Sequence, residues 1–366
     1  MRKIPLSYTP PDREKLSVVL ARYEGIHHNR IIEDFEAAIS NITRAPYVVA
    51  LNSGTAAIHL GLKLLGVGKG DEVLVSTFTY VASVNPILYL EARPVFIGSE
   101  PDTWNMDPVM LEQGIKNRLA EGIKPKAVII VHVYGIPAKI HELKAIADKY
   151  GIPILEDAAE AFGSTVNNRH VGTFGEIGIL SFNNNKIITT YGGGALLTSN
   201  ESIFRTAVFL AEQAREKEQF YMHREVGYNY RIGPLNAAVG LAQIENTEEI
   251  FIKRRQIYSI YHTGLELPGV KFLDELPGYK SNHWLTTIVL SKWNVLTIID
   301  LLLKEGIEAR CLWNPMHLQP VFKDYRCIGS DIAEKLFKTG LSLPSGSELK
   351  PDDQRYVIQK LQNMIK

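Results

Sequence analysis

Lys186 is the residue whose setting most demands chemistry. It follows the apolar run Gly178-Ile179-Leu180, a hydroxyl at Ser181 and three amides, Asn183-Asn184-Asn185, and it precedes the glycine triplet Gly192-Gly193-Gly194. The nearest charged residues along the chain are Glu176 and Glu201. An amine so isolated must find a partner, shift its proton affinity or become covalently modified. Taken alone, it fits a polar loop tip equally well. Three other signals change that balance. Asp157 ends the apolar run Ile152-Pro153-Ile154-Leu155-Glu156. Asn52-Ser53-Gly54-Thr55-Ala56 lies between a strand-like run and a helix-like one, so backbone amides, a helix N-terminus and a hydroxyl surround one point, which suits a phosphate. Tyr80 stands at the mouth of a further strand. Each has an ordinary reading: a cap for Ser53, Thr55 or Asp157, a core position for Tyr80. Jointly, a lysine for a Schiff base, an acid for a pyridine nitrogen, a phosphate corner reinforced by Ser181 and a stacking ring form the set that holds pyridoxal phosphate.

These residues need a scaffold, and its pattern is alternation. Tyr47–Leu51, Val73–Val75, Pro94–Ile97, Ala127–His132 and Ile152–Asp157 read as strands. Helical periodicity covers Ile31–Ile39, Ala56–Leu65, Val81–Tyr89 and Ile140–Tyr150. Valine- and isoleucine-rich strands, most of them followed by amphipathic helices, predict a mainly parallel sheet covered on both faces. Ligands of such sheets collect at the carboxyl ends of the strands, where Asn52–Thr55, His132, Asp157 and Ser181 fall. A long helix is expected from about Pro234 to His262, with a domain boundary near residue 245. Beyond it, Trp284–Leu290, Val295–Glu305 and Pro351–Ile365 suggest a smaller α+β unit.

At 366 residues, with 40 basic and 40 acidic side chains and 45% hydrophobic residues, the chain has ample core and no charge bias towards nucleic acid or an anionic membrane. Cys311 and Cys327 are too few for a disulfide framework or a thiolate metal site. His27-His28 lacks metal-ligand spacing. Met1-Arg2-Lys3 starts as a leader does, but Pro5, Pro10, Pro11 and Asp12-Arg13-Glu14-Lys15 occupy the place of an apolar segment. The expectation is a cytoplasmic protein without metal.

A resemblance is carried in order over nearly the whole chain by Asn52-Ser53-Gly54-Thr55-Ala56-Ala57, Glu156-Asp157-Ala158-Ala159-Glu160-Ala161, Gly172-Thr173-Phe174-Gly175, Ser181-Phe182 with Lys186 and Gly192-Gly193-Gly194, and Gly227-Tyr228-Asn229-Tyr230-Arg231. These resemble the DegT/DnrJ/EryC1/StrS family of sugar aminotransferases. The resemblance implies an α/β type I aminotransferase fold. Residues 1–245 would form an arm and a large cofactor domain with a mainly parallel seven-stranded sheet, and residues 246–366 a small α+β domain. It implies pyridoxal 5'-phosphate, pyridoxamine 5'-phosphate in turnover, and a homodimer with shared active sites. The reaction implied is transfer of an amino group from L-glutamate to a nucleotide-linked ketosugar.

Carried over by position, Lys186 is the Schiff-base lysine and Asp157 the partner of the ring nitrogen. Tyr80 is the stacking aromatic, and Gly54, Thr55, Ala56 and Ser181 hold phosphate. Glu160 stands where the family often has histidine or glutamine beside the cofactor. Asn229 resembles an asparagine that reaches the phosphate from the neighbouring subunit. Arg231, Trp313 and His317 are the candidates for substrate, a guanidinium fork for carboxylate or diphosphate and two rings for sugar or base. The stretches around Gln213, Lys186 and Leu312–Pro320 are similar to enzymes that aminate C4 of UDP-linked 4-keto-6-deoxy-N-acetylhexosamines for cell-surface glycans. Cys311 and Asn314 replace a proline and a lysine more frequent there, and His27-His28-Asn29 replaces a glycine-containing loop. GDP-linked perosamine-type synthesis, 3-ketosugar amination and a non-catalytic regulator that binds the cofactor are the alternatives.

Overall fold

The computed structural model describes residues 3–10, 13–25 and 28–365. His27, Pro11, Asp12 and the leader-like Met1-Arg2 lie outside them. The strands, in chain order, are β1 (Tyr47–Leu51), β2 (Glu72–Ser76), β3 (Arg93–Ile97), β4 (Ala127–Val131), β5 (Ile154–Asp157), β6 (Thr165–Val166), β7 (Arg169–His170), β8 (Ile177–Ser181), β9 (Gly194–Thr198), β10 (Val270–Phe272), β11 (Tyr279–Lys280), β12 (Thr286–Leu290), β13 (Arg310–Cys311), β14 (Cys327–Ile328) and β15 (Gly340–Leu343). Eight of them form one sheet in the order β1-β9-β8-β5-β4-β2-β3-β14. Every pairing is parallel except those of β9, which runs against both β1 and β8. Seven strands match the expected sheet. The eighth, β14, is a two-residue edge supplied by the C-terminal part of the chain.

This topology gathers the polar signals. Because β9 is reversed against both neighbours, β1 runs with the parallel strands and its carboxyl end shares their edge. Val131 pairs with Asp157, Asp157 with Ile179, and Gly194 with both Ser181 and Leu51. The corner after β1, the acid ending β5 and the lysine loop after β8 therefore meet at one sheet edge. The parallel strands β2, β4 and β5 are buried along their whole length, as strands covered on both faces must be, and so is the reversed strand β9. Helices Gly54–Leu64, Pro108–Ala120 and Glu201–Ala211 pack against the sheet.

Two expected helices are broken, each for a local reason. The Pro234–His262 helix is two, Pro234–Ile244 and Thr247–Gly264. Asn246 between them leaves helical geometry, at φ −112° and ψ 10°, and its side-chain carbonyl takes the Lys15 ammonium. Asparagine is a poor residue for a helix interior, which favours a break here. The Val81–Tyr89 helix is a 3₁₀ turn, Val81–Ser83, and a short helix, Asn85–Tyr89, started by Pro86, which has no amide to donate to a preceding turn.

A second sheet, β10-β12-β15-β13, encloses its own apolar core of Ile257, Tyr261, Phe272, Ile288, Leu302, Leu341 and Val357. We propose the break at residues 245–246 as the boundary of the two units. Past it the chain still returns Trp284, Leu312 and Met316 to the larger core. Among the described residues no helix is long and apolar enough to cross a membrane.

Candidate active site

Lys186 lies on the loop between β8 and β9, with its amide bonded to Asn183 O at 3.0 Å. Its Nζ is 3.5 Å from Glu160 Oε1 and 4.2 Å from the ring centre of Trp284. Glu160 is buried and accepts the Tyr134 amide at 2.7 Å. Burial pushes the Glu160 carboxyl above its ordinary range, Lys186 and the Tyr134 amide oppose this, and Asp157 adds to it. Asp157 is buried at the end of β5. Its Oδ2 accepts from Ser83 Oγ at 2.7 Å and its Oδ1 from the Ala159 amide at 3.1 Å. A carboxylate offers about four acceptor positions and two are taken, so acceptor capacity remains.

The corner after β1 divides its tasks. Ser53 is the N-cap of helix Gly54–Leu64, and its hydroxyl accepts the Ala56 amide at 3.0 Å. The amides of Gly54 and Thr55, in the first turn, have no intrahelical acceptor. Gly54 packs on Ser181, where an added Cβ would sit 3.1 Å from the serine Cβ, and an added Cβ on Gly194 would come within 2.5 Å of the Gly54 nitrogen. The two strands can close on the corner only with these glycines. Gly54, Thr55, Ser181, Asp157, Glu160, Lys186 and Tyr80 all line one cavity of about 330 Å³. Tyr80 is 52% exposed at its mouth, with its ring 5.2 Å from that of Trp313. A groove of about 500 Å³ lies at the opposite end of the sheet, beside Arg44, His170 and Thr198, without lysine or carboxylate on its wall.

The model of the DegT/DnrJ/EryC1/StrS aminotransferase family matches residues 12–362. The chain belongs to that family. EpsN of Bacillus subtilis, which carries a provisional name as a pyridoxal phosphate-dependent aminotransferase, is 46% identical over 342 residues, covering 92% of this chain and 88% of EpsN. GDP-perosamine synthase of Escherichia coli O157:H7 is 32% identical over 99% of this chain and 98% of that protein. Among solved structures, a DegT DnrJ EryC1 StrS aminotransferase from Brucella abortus superposes with a TM-score of 0.89 at 28% identity, over 96% of this chain and 95% of that one. The protein is thus a pyridoxal phosphate-dependent aminotransferase of the nucleotide-sugar class with the type I fold.

The cavity of this DegT-family chain fits that cofactor by its donor set. An amine, an acid with spare acceptor capacity and a glycine-built corner with unsatisfied amides surround one space, and an exposed ring flanks it.

Of the other sequence candidates, all but Trp313 stand off the cavity wall. Ala56 is absent from the cavity wall, and its amide is spent on Ser53. Arg231 is occupied: it donates to Glu36 at 2.6 Å and to Ala50 O at 3.3 Å, and pairs with Glu212 at 3.3 Å. Burial raises the Glu36 carboxyl and Arg231 counters it, so within this chain the guanidinium is engaged by a half-buried carboxylate. His317 is held by Thr77 Oγ1 at 2.7 Å and Glu334 at 3.3 Å, off the cavity. Asn229 is exposed, its side-chain carbonyl accepting from Gln213 at 3.2 Å, and within one chain it does not reach the cavity. Trp313 does line it, stacked on Tyr134 at 5.6 Å and 7°.

The structure adds wall residues that sequence reasoning missed: Ser83 on Asp157, Trp284 under Lys186, and Arg310. None carried a signal along the chain. Of the three asparagines before the lysine, Asn183 and Asn185 line the cavity.

Proposed function

We propose that this protein transfers the amino group of L-glutamate to the C4 keto group of a nucleotide-linked 4-keto-6-deoxy sugar, in the first instance a UDP-linked N-acetylhexosamine. The observation that carries this reading is the convergence of Lys186, Asp157 and the Gly54–Thr55 corner on one cavity. Bound there, pyridoxal phosphate supplies an electron-accepting ring and a carbonyl carbon that exchanges amines. The residues of the chain do the rest. Lys186 holds the cofactor and, when free, moves a proton to or from the reacting carbon at its Nζ. Asp157, held in place by Ser83, would accept a hydrogen bond from the protonated ring nitrogen and keep that proton there. Gly54, Thr55 and Ser181 bind phosphate, and Tyr80 covers the ring.

Both substrates are anionic, and Arg231 is tied elsewhere. Arg310 is the cation other than Lys186 on the described wall, oriented by Glu308 at 2.7 Å, and it is assigned here to substrate carboxylate or diphosphate. A homodimer with shared sites is supported by the segment around Asn229, which exposes Phe220, Tyr221 and Val226 at 60%, 78% and 77%. Asn229 is assigned to the partner's phosphate. On this reading the reaction is a cytoplasmic step in cell-surface glycan synthesis.

Borohydride reduction of the protein loaded with cofactor, followed by peptide mass spectrometry, tests the centre of this reading: the pyridoxyl label belongs on Lys186. A label elsewhere overturns it. Turnover of UDP- against GDP-linked 4-ketosugars tests the sugar. A clear GDP preference selects perosamine-type synthesis, which the E. coli relative favours. Failure of glutamate to convert the cofactor to its pyridoxamine form selects the regulator.

A further inference from the structure

The lysine loop is held by an apparatus that the reaction scheme above does not use. Trp284, 1% exposed, donates its indole N–H to Asn185 O at 2.7 Å and presents its ring face to the Lys186 amine at 4.2 Å. Behind it lies Arg254, wholly buried. Its Nη1 donates to the carbonyls of Trp284, at 2.8 Å, and of Ser345, and its Nη2 to Thr9 Oγ1 at 3.2 Å, with Ser7 Oγ at 3.4 Å. All these partners are neutral. Burial without a carboxylate pushes the guanidinium down to about 9.

The two arm hydroxyls that meet Arg254 also meet the lysine loop. Ser7 Oγ donates to Asn185 O at 3.1 Å and Thr9 Oγ1 to Lys186 O at 3.4 Å. The arm itself is laid along the small unit. Ile4 exchanges backbone hydrogen bonds with Gly306 and Glu308 at 2.9 Å, and the Ser345 amide donates to Leu6 O at 2.7 Å. Arg254 thus ties the arm, the small unit and Trp284 around the two carbonyls that set the direction of the Lys186 side chain.

We propose that Trp284 and Glu160 form a seat for the Lys186 ammonium, and that Arg254 with Ser7 and Thr9 are positioning residues that hold this seat. The inference rests on Lys186 being the reacting amine. A cation on an aromatic face and beside a carboxylate is stabilised in its charged form. The seat therefore receives the unattached lysine in the stages when it carries a proton, and aims Nζ at one place on the cavity wall. Other charged groups face the same space: Asp157 across the cavity, Arg310 at its mouth and Arg254 behind the indole. None of these three is paired with Nζ; among the described residues Glu160 is the group within ion-pair distance of it.

The test uses the full chain in its pyridoxamine phosphate form, where Lys186 is unattached. The pH dependence of Lys186 acylation by a small anhydride, read by peptide mass spectrometry, reports the amine's proton affinity. Trp284→Leu lowers the midpoint by roughly 0.4 to 1.5 pH units, the worth of a cation–aromatic contact. Trp284→Phe, which preserves a ring and more of the packing, shifts it less. Ser7→Ala combined with Thr9→Val leaves the cavity wall intact and produces a smaller shift in the same direction. Calorimetry verifies that each variant is folded. Midpoints of both Trp284 variants at the wild-type position overturn the seat, and an unmoved midpoint in the arm variant overturns the arm's part. A purely structural tryptophan would change melting temperature and leave the midpoint unmoved. Borohydride labelling of Lys186 in the unmodified protein distinguishes this failure from failure of the functional reading.

Discussion

Glu156 and Asp157 are consecutive on β5, equally buried and chemically alike, and the two faces of the strand put them to opposite uses. Glu156 Oε1 accepts from the amides of Phe174 and Gly175, and its Oε2 from the Gly172 amide at 2.8 Å and from His132 Nε2 at 3.0 Å. Every acceptor position is filled by the fold. Asp157 has two donors and an open side towards the cavity. The lesson concerns what makes a buried carboxylate functional: not burial or charge, which they share, but acceptor capacity left over after the fold has taken its part.

The sharpest test of the contrast is Asp157→Asn. An amide cannot balance a proton on the cofactor ring, so transamination falls on the order of 10³-fold, within the range of a lost acid–base partner. Stability, by thermal melting of the cofactor-free chain, changes by less than about 1 kcal/mol, since Ser83 and Ala159 can still be satisfied. A stability loss as large as that of the Glu156 variant below would erase the distinction.

Glu156→Gln carries the complementary expectation. Its new amide nitrogen must face donors, and the fold loses about 3 kcal/mol, typical of breaking a buried charged network. Activity per folded molecule stays near wild type. The pH dependence follows from the same site. Burial opposes the charge, but His132 and the backbone amides outweigh it and hold the Glu156 carboxyl below its ordinary range. A carboxyl lowered in the folded state binds fewer protons there than in the unfolded chain. Its contribution is therefore complete above the ordinary carboxylate range and lost as pH falls through the lowered native value. Acid titration of stability should show that loss in the wild type and not in the glutamine variant.

Why one carboxylate could be read in the sequence and the other could not follows from the same comparison. Lys186, Asp157, the Gly54–Thr55 corner, Ser181 and Tyr80 were legible because each signal is local: an isolated amine, a strand end, a glycine at a strand-to-helix turn. The parallel pattern then sent them all to one edge. That Arg231 and His317 stand off the cavity wall in the chain could not be read locally, because the availability of a polar head depends on distant partners. Glu36 lies 195 positions from Arg231, and Thr77 lies 240 from His317. Trp284 and Arg310 were invisible for the converse reason, since only the return of the small unit brings them to the cavity. The reversed strand β9 has no place in the sequence reading either, and its pairing with β1 and β8 is what fixes it.

The two arginines extend the contrast between a spent and an open group. Arg310→Ala should raise KM for the anionic substrate it meets by about tenfold, the low end for a charged hydrogen bond at an exposed position, with kcat little changed. Measuring glutamate and nucleotide sugar separately tells carboxylate from diphosphate. Arg231→Gln should leave both KM values near wild type. If it raises one of them more than Arg310→Ala does, the assignments are reversed.

The smallest effect is at the corner itself, where Ser53 and Ser181 offer the same hydroxyl. Ser53 Oγ is committed to the Ala56 amide as the helix cap, whereas Ser181 faces Gly54 on the cavity wall. Ser53→Ala should cost about 1 kcal/mol of stability, and Ser53→Gly only a few tenths, because a capping residue is valued for its acceptor and for its non-helical backbone. Cofactor affinity of both should stay within about twofold once the folded fraction is accounted for, since a lost cap leaves the Gly54 and Thr55 amides in place. Ser181→Ala should do the reverse, weakening the cofactor about fivefold with melting temperature almost unmoved, as expected for a single hydrogen bond of about 1 kcal/mol. Equal cofactor losses in the two alanine variants would mean that the cap and the phosphate site are one device, and that acceptor capacity does not separate fold from function at this corner as it does on β5.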